Sequence, residues 1–162
     1  MYLALVTDAY SKKIVGYDLS ESLSADGALR ALKMAQASRM YRNEHLIHHS
    51  DRGIQYCSDA YQKRLTRYGI ATSMTESYDP YANAVAERVN GILKQEFLLE
   101  ELSLPLNEMK LVVKDAVNTY NEVRPHFSCG YLTPCQMHFQ RKVKVKTYKK
   151  EDGSLIYEWD DL

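Results

Sequence analysis

Apolar residues recur along the first half of the chain in short blocks of two kinds, and each kind predicts its own element. Tyr2–Thr7 and residues 13–18 are β-rich apolar runs separated by Asp8-Ala9-Tyr10-Ser11-Lys12, a polar connection of hairpin length, so they are expected to pair antiparallel. From Ser24 the spacing changes. Ala28, Leu29, Leu32, Ala35 and Met40 fall at helical intervals, which predicts a helix capped by Ser24 and ending near Tyr41. Residues 46–49 form a short strand running into Ser50-Asp51-Arg52-Gly53, a polar turn in which Gly53 is expected to let the backbone reverse. Ser58 heads a second helix through Tyr68, Gly69 closes it, and Ile70–Met74 reads as another strand. Strand, turn, helix and strand make an α/β unit.

In the second half a loop carrying Tyr78-Asp79-Pro80 leads into a helix predicted over residues 83–99. Val85, Ala86, Val89, Ile92, Leu93 and Phe97 share one arc at about 100° per residue, while Asn83, Glu87, Gly91 and Lys94 lie on the other. A last helix, residues 106–123, repeats apolar positions at Leu106, Met109, Val113, Ala116, Val117 and Tyr120, and Pro125 stops it. Beyond residue 139 the character changes. Residues 141–150 hold six basic side chains and no acidic one; residues 151–162 hold five acidic and no basic one. The runs 143–148 and Leu155–Trp159, joined by Glu151-Asp152-Gly153-Ser154, predict a hairpin. The expected division is an α/β domain with a mixed sheet over residues 1–139 and a charged tail over residues 140–162.

Composition narrows the possibilities without choosing among them. A chain of 162 residues, 45% hydrophobic and 26% charged, suits one soluble domain. Lys plus Arg and Asp plus Glu are balanced at 21 each, so DNA affinity would have to come from local patches such as the basic run. Neither a membrane span nor a signal peptide is visible, and Cys57, Cys129 and Cys135 form no even-numbered framework; both point to a cytoplasmic protein with free thiols. His126, Cys129, Cys135 and His138 offer four zinc-type ligands, but their spacing matches no common zinc module, and a packed loop is the better reading.

Two carboxylates stand out. Asp51 ends a strand and Glu87 sits on the polar face of a helix, with 35 residues between them. Hard oxygen ligands of this kind suit Mg²⁺ in two-metal phosphodiester chemistry. Surface carboxylates are common, so the pair is suggestive only. A nucleophile elbow, a Walker A run and a G-x-G-x-x-G motif are all missing from the sequence, which argues against hydrolase and nucleotide-binding readings.

Several motifs together carry more. His49-Ser-Asp-Arg-Gly with Gln55-Tyr56, Asp79 through Asn83-Ala84, Glu87, and Leu93-Lys94-Gln-Glu96 resemble the D-x35-E half of the integrase-type (DDE) transposases of bacterial insertion sequences. Tyr120-Asn121-x-x-Arg124-Pro125-His126 and Gly130-Tyr131-x-Thr133-Pro134 are similar to the segment closing that domain. The opening, Tyr2-Leu-Ala through Asp8, Ser11 and Lys13-Ile-Val-Gly16, resembles the family's second and third strands. The resemblance implies an RNase H-like fold and DNA cleavage and strand transfer with Mg²⁺ or Mn²⁺, acting on transposon ends and target DNA as a homo-oligomer. It implies Asp51 and Glu87 as the second and third acidic ligands, Lys94 as a contact to end DNA, and Asn83 and Arg52 as further DNA contacts.

One departure from the family pattern matters. Its first aspartate lies on a strand preceding the one that begins here at Tyr2, so the chain is expected to be an N-terminally truncated core, inactive as an isolated fragment. A non-catalytic DNA-binding or dimerising module is the alternative. Asp8 does not replace that aspartate; a role capping the hairpin connection suits it better. The absent strand should lie at the centre of the sheet, leaving open edges, and the C-terminal hairpin is expected to cover one, within the chain or by exchange between copies.

Overall fold

The computed structural model describes residues 1–40, 42–74 and 83–140, with the backbone of two further strands at 145–149 and 155–159. Strand β1 (Tyr2–Thr7) and strand β2 (Ile14–Ser20) pair antiparallel, from Tyr2 opposite Ser20 to Thr7 opposite Ile14, with a register shift after Val6. Helix α1 (Ala25–Ala37) lies so close on β2 that a Cβ at Gly16 would sit 2.0 Å from the Ala31 carbonyl oxygen. The helix ends earlier than its apolar spacing predicts. Ser38 caps it, its hydroxyl bonding the Ala35 carbonyl at 3.0 Å and reaching the Val15 carbonyl at 3.3 Å, and Met40 is left exposed. Ser24 occupies the N-cap but makes no side-chain capping bond.

Strand β3 (Leu46–Ser50) and strand β4 (Ile70–Met74) run parallel in the register Leu46 to Ile70 through Ser50 to Met74, the geometry expected of an α/β unit. Their crossover holds a one-turn helix, α2 (Ile54–Cys57), that the sequence pattern does not announce, followed by α3 (Asp59–Arg67). Ser58 caps α3 by accepting the Tyr61 amide, and Gly69 closes the unit at φ +63°, in the left-handed region where a side chain is strained.

Helix α4 (Ala84–Gln95) stops short of the expected Leu99, because Leu98 turns to φ 54° and so brings Leu99 into the core. Helix α5 (Leu106–Glu122) matches its periodicity, and α6 (Pro134–His138) follows behind a capping box made by Thr133 and Gln136. Strand β5 (Val145–Lys149) pairs antiparallel with β6 (Leu155–Trp159), and neither is hydrogen-bonded to any other described strand. Within the described chain, then, the hairpin covers no open edge. No described helix is long and apolar enough to cross a membrane.

Parallel and antiparallel pairing are both present, as a mixed sheet requires, but in two separate ladders. β1–β2 and β3–β4 are not hydrogen-bonded to each other. The hydrophobic core is divided accordingly. One cluster gathers Ile14 and Leu19 of β2 with Val89, Ile92, Val113, Val117 and Tyr120 of α4 and α5; the other gathers Ala28 and Leu32 of α1 with Tyr61, Leu65 and Ile70.

Candidate active-site cleft

A cleft of about 710 Å³ lies between the two ladders. Its walls are β1 from Leu3 to Asp8 and β3 from Leu46 to Asp51; α1 and the first turn of α4 close it on either side. Asp51 stands where β3 delivers the chain out of the ladder, the position at which open α/β sheets hold their ligands. Its Oδ1 accepts the Gly53 amide at 2.9 Å. The polar turn was expected to need the conformational freedom of Gly53, yet Gly53 has φ −55°, ordinary for any residue. The space its missing Cβ leaves is taken by the ends of two side chains. A Cβ there would fall 2.9 Å from Asp51 Oδ1 and 2.7 Å from Gln55 Nε2.

On the opposite side Asn83 takes the N-cap position of α4 without spending its side chain on the cap, and it lines the cleft with Ala84, Val85 and Ala86. Glu87 belongs to the same first turn, where a carboxylate is favoured by the helix dipole, but it is exposed and outside the lining. Asp51 and Asn83 thus border one cleft, with Glu87 on the turn beside it. Arg52 is exposed next to Asp51; Lys94 is exposed two turns beyond Glu87 and pairs with Glu100 at 2.6 Å. Asp79 lies outside the described residues. Among the described residues, no three His, Cys, Asp or Glu side chains converge in a way that would hold a metal ion.

Asp8, assigned from sequence to the hairpin connection, does that and more. Its Oδ2 accepts the Ser11 amide at 3.0 Å and the Ser11 hydroxyl, while His138 Nδ1 approaches at 3.3 Å. Burial pushes the Asp8 carboxyl up, but the hydrogen bonds from His138 and Ser11 outweigh it and hold the pKa at about 2. Asp8 and His138 both line the cleft, closing the end where β1 leaves it. Of the His and Cys residues weighed for zinc, three have other contacts, His138 with Asp8 among them. Cys129 Sγ donates to the Ser11 carbonyl at 3.5 Å, and His126 packs edge-on against Tyr120 with ring centroids 5.1 Å apart.

The motif around residues 120–126 acts as a clamp. The Asn121 side chain accepts the Ile14 amide at 2.9 Å and donates to the Ile14 carbonyl at 3.0 Å, while the Tyr120 hydroxyl donates to the Lys12 carbonyl at 2.9 Å. Arg124 makes a two-pronged contact with Glu96 at 2.6 and 2.7 Å. These residues hold α5 to the hairpin and to the end of α4; sequence flagged them as a motif but not as a clamp.

An antiparallel hairpin, a βαβ unit with Asp51 at the end of its first strand and flanking helices define an RNase H-like α/β core, and solved structures agree. The chain superposes on a chain of the simian T-cell lymphotropic virus intasome in complex with PP2A regulatory subunit B56 gamma, with TM-score 0.67, 22% identity, and 98% of this chain and 60% of that chain covered. It also matches the HTLV-2 integrase catalytic core domain in complex with magnesium, with TM-score 0.59, 22% identity, and 82% and 80% covered. The chain belongs to the integrase core family: residues 1–80 and 68–134 each match an integrase core domain. It is 36% identical over 137 residues to the transposase InsF for insertion sequence IS3A of Escherichia coli, covering 84% of this chain and 47% of that protein. The chain spans about half the length of the curated relatives it matches.

Proposed function

We propose that this chain is the catalytic-core portion of an insertion-sequence transposase that works on DNA by phosphodiester cleavage and strand transfer. In that reaction water cleaves a phosphodiester at the element's end, and the freed 3′-hydroxyl attacks a second DNA strand. The observation that carries the reading is the placement of Asp51 at a strand end on the inter-ladder cleft, with the first turn of α4 facing it. The donor chemistry suits a hard divalent cation, because Mg²⁺ is commonly held by one or two carboxylates together with water and substrate phosphate. No ion pair among the described residues engages Asp51 or Glu87. Held by Asp51 and Glu87, Mg²⁺ or Mn²⁺ would supply stabilisation of charge developing at the phosphorus. Asn83, Arg52 and Lys94 then position the DNA backbone, with Lys94 exchanging Glu100 for a phosphate.

In this reading the isolated 162-residue chain does not nick DNA by itself. In a second reading it is a non-catalytic DNA-binding or dimerising module, favoured by the ready exposure of Arg52 and Lys94. Electron paramagnetic resonance with Mn²⁺, run beside nicking of a labelled DNA duplex, separates the two. Expected are Mn²⁺ binding weakened at least tenfold by Asp51→Ala or Glu87→Ala, and no nicking above the Glu87→Ala level. Nicking abolished by Glu87→Ala would reveal a complete active site; duplex binding without Mn²⁺ affinity would favour the module.

A further inference from the structure

The first turn of α4 borders two hollows. One is the cleft; the other, of about 210 Å³, has Lys12, Ala84, Val85, Arg88, His126 and Ser128 in its lining, and none of its polar members lines the cleft. Each of these polar side chains can donate a hydrogen bond, and Lys12 and Arg88 carry positive charge. The helix adds to them. The Glu87 amide is the first to bond within α4, to the Asn83 carbonyl at 3.0 Å, so the amides of Ala84 and Val85 have no intrahelical acceptor and the positive end of the helix dipole lies at the pocket. Arg88 is exposed and forms no ion pair among the described residues, and Lys12 Nζ donates to a neutral acceptor, the Ala9 carbonyl. The two carboxylates whose charge reaches this corner are already held, Asp8 by Ser11 and His138, and Glu96 by both prongs of Arg124. His126 supplies an independent signal. It is only 7% exposed, yet its Nε2 has no hydrogen-bond partner among the described residues, a rare condition for a buried polar atom. Burial and the charges of Arg124, Arg88 and Lys12 lower its pKa against the opposing charge of Glu96, so the ring is neutral in positive surroundings.

We propose that this pocket binds a phosphate group, with Arg88 and Lys12 neutralising its charge, the opening amides of α4 bonding its oxygens and the neutral imidazole of His126 donating from Nε2. A tetrahedral oxyanion suits donors that arrive from several elements, here the β1–β2 connection, α4 and the segment after α5; a planar carboxylate offers only two oxygens. At about 30 Å³ for a water in the liquid, the pocket matches about seven waters, ample room for a phosphate group. Lys12 lines it from a backbone φ of 63°, a region where side chains are strained. The phosphate is either a free ion or one diester of a nucleic-acid strand passing around the start of α4, and the recognition chemistry is the same. The second source rests on the proposed action on DNA; the first does not, and neither requires the metal site.

The probe is inorganic phosphate, titrated at neutral pH and constant ionic strength into the 162-residue chain in EDTA while the imidazole signals of His126 are followed by NMR. EDTA keeps the outcome separate from the fate of the metal site. Expected is a saturable shift of the His126 signals that acetate does not reproduce. Arg88→Gln and Lys12→Gly should each weaken binding about tenfold or more, the loss of one charge-assisted bond. Because glycine is unstrained at the φ of 63° held by Lys12, Lys12→Gly should do so without lowering the thermal midpoint, which distinguishes a lost ligand from a lost fold. A thymidine hexanucleotide then identifies the source. Moving the same signals and competing with phosphate, it supports the pocket as a seat for a nucleic-acid backbone; leaving them in place beside saturable phosphate binding, it supports a free-ion site. The proposal is overturned by a phosphate shift that does not saturate, by acetate acting as well as phosphate, or by binding that both variants leave intact.

Discussion

At the scale of single residues, Asp8 and Gly16 are fixed by contacts far along the chain. Asp8 has a folded pKa of about 2 against an ordinary 3.8, because the bonds from His138 and Ser11 outweigh the effect of burial. A carboxyl depressed by folding stabilises fully above its unfolded value, and that contribution is lost as pH falls through the folded one. Asp8 should therefore support the fold above pH 3.8 and cease to do so as pH approaches 2. With the side chain about a third exposed, solvent screening reduces the contribution to about 1 kcal/mol. Urea midpoints of Asp8→Asn should lie below those of the parent at pH 6, and the gap should narrow as pH falls from 3.8 towards 2; a constant gap over that range would contradict the assignment. Gly16 answers to space. Its absent Cβ would meet the Ala31 carbonyl at 2.0 Å, so Gly16→Ala must push α1 off β2 and should cost about 2 kcal/mol in thermal denaturation.

At the scale of elements, the long motif at the end of α5 separates into strong and weak parts. Asn121 is buried and pairs with both backbone groups of Ile14, taking the place of a neighbouring strand at that residue. Asn121→Leu leaves two buried backbone groups unsatisfied, and the expected loss is about 2–4 kcal/mol. Arg124 and Glu96 form a close pair, but it is open to solvent, so Arg124→Ala should cost no more than about 1 kcal/mol. Equal losses in chemical denaturation would refute this ranking. The elements were largely legible beforehand: β1, β4 and α5 follow their apolar periods almost to the residue, and Ser58 and Gly69 bound α3 as their chemistry dictates. Misreadings came at helix ends. α1 and α4 stop before their apolar spacing does, because Met40 finds no core to join and Leu99 reaches one only by leaving the helix.

At the scale of the whole molecule, two core clusters that do not merge imply two levels of stability. In hydrogen exchange, β2 and α5 should be the most protected elements, and β3 amides turned toward the cleft should exchange faster than those bonded to β4. Uniform protection across β2 and β3 would show the ladders opening as one unit. The sequence alone determined the order and kind of the elements, because local spacing of apolar residues decides which faces can be buried. It also singled out Asp51 and Glu87 as candidates, through motifs with chemically meaningful residues at fixed intervals. Tertiary structure decided the rest: that His138 answers Asp8 across 130 positions, that Asn121 grips Ile14, and that Asp51 and Asn83 border one cleft while Glu87 lies exposed on the adjoining helical turn. Edge pairing and cleft formation depend on which distant segments meet, and no local period records that.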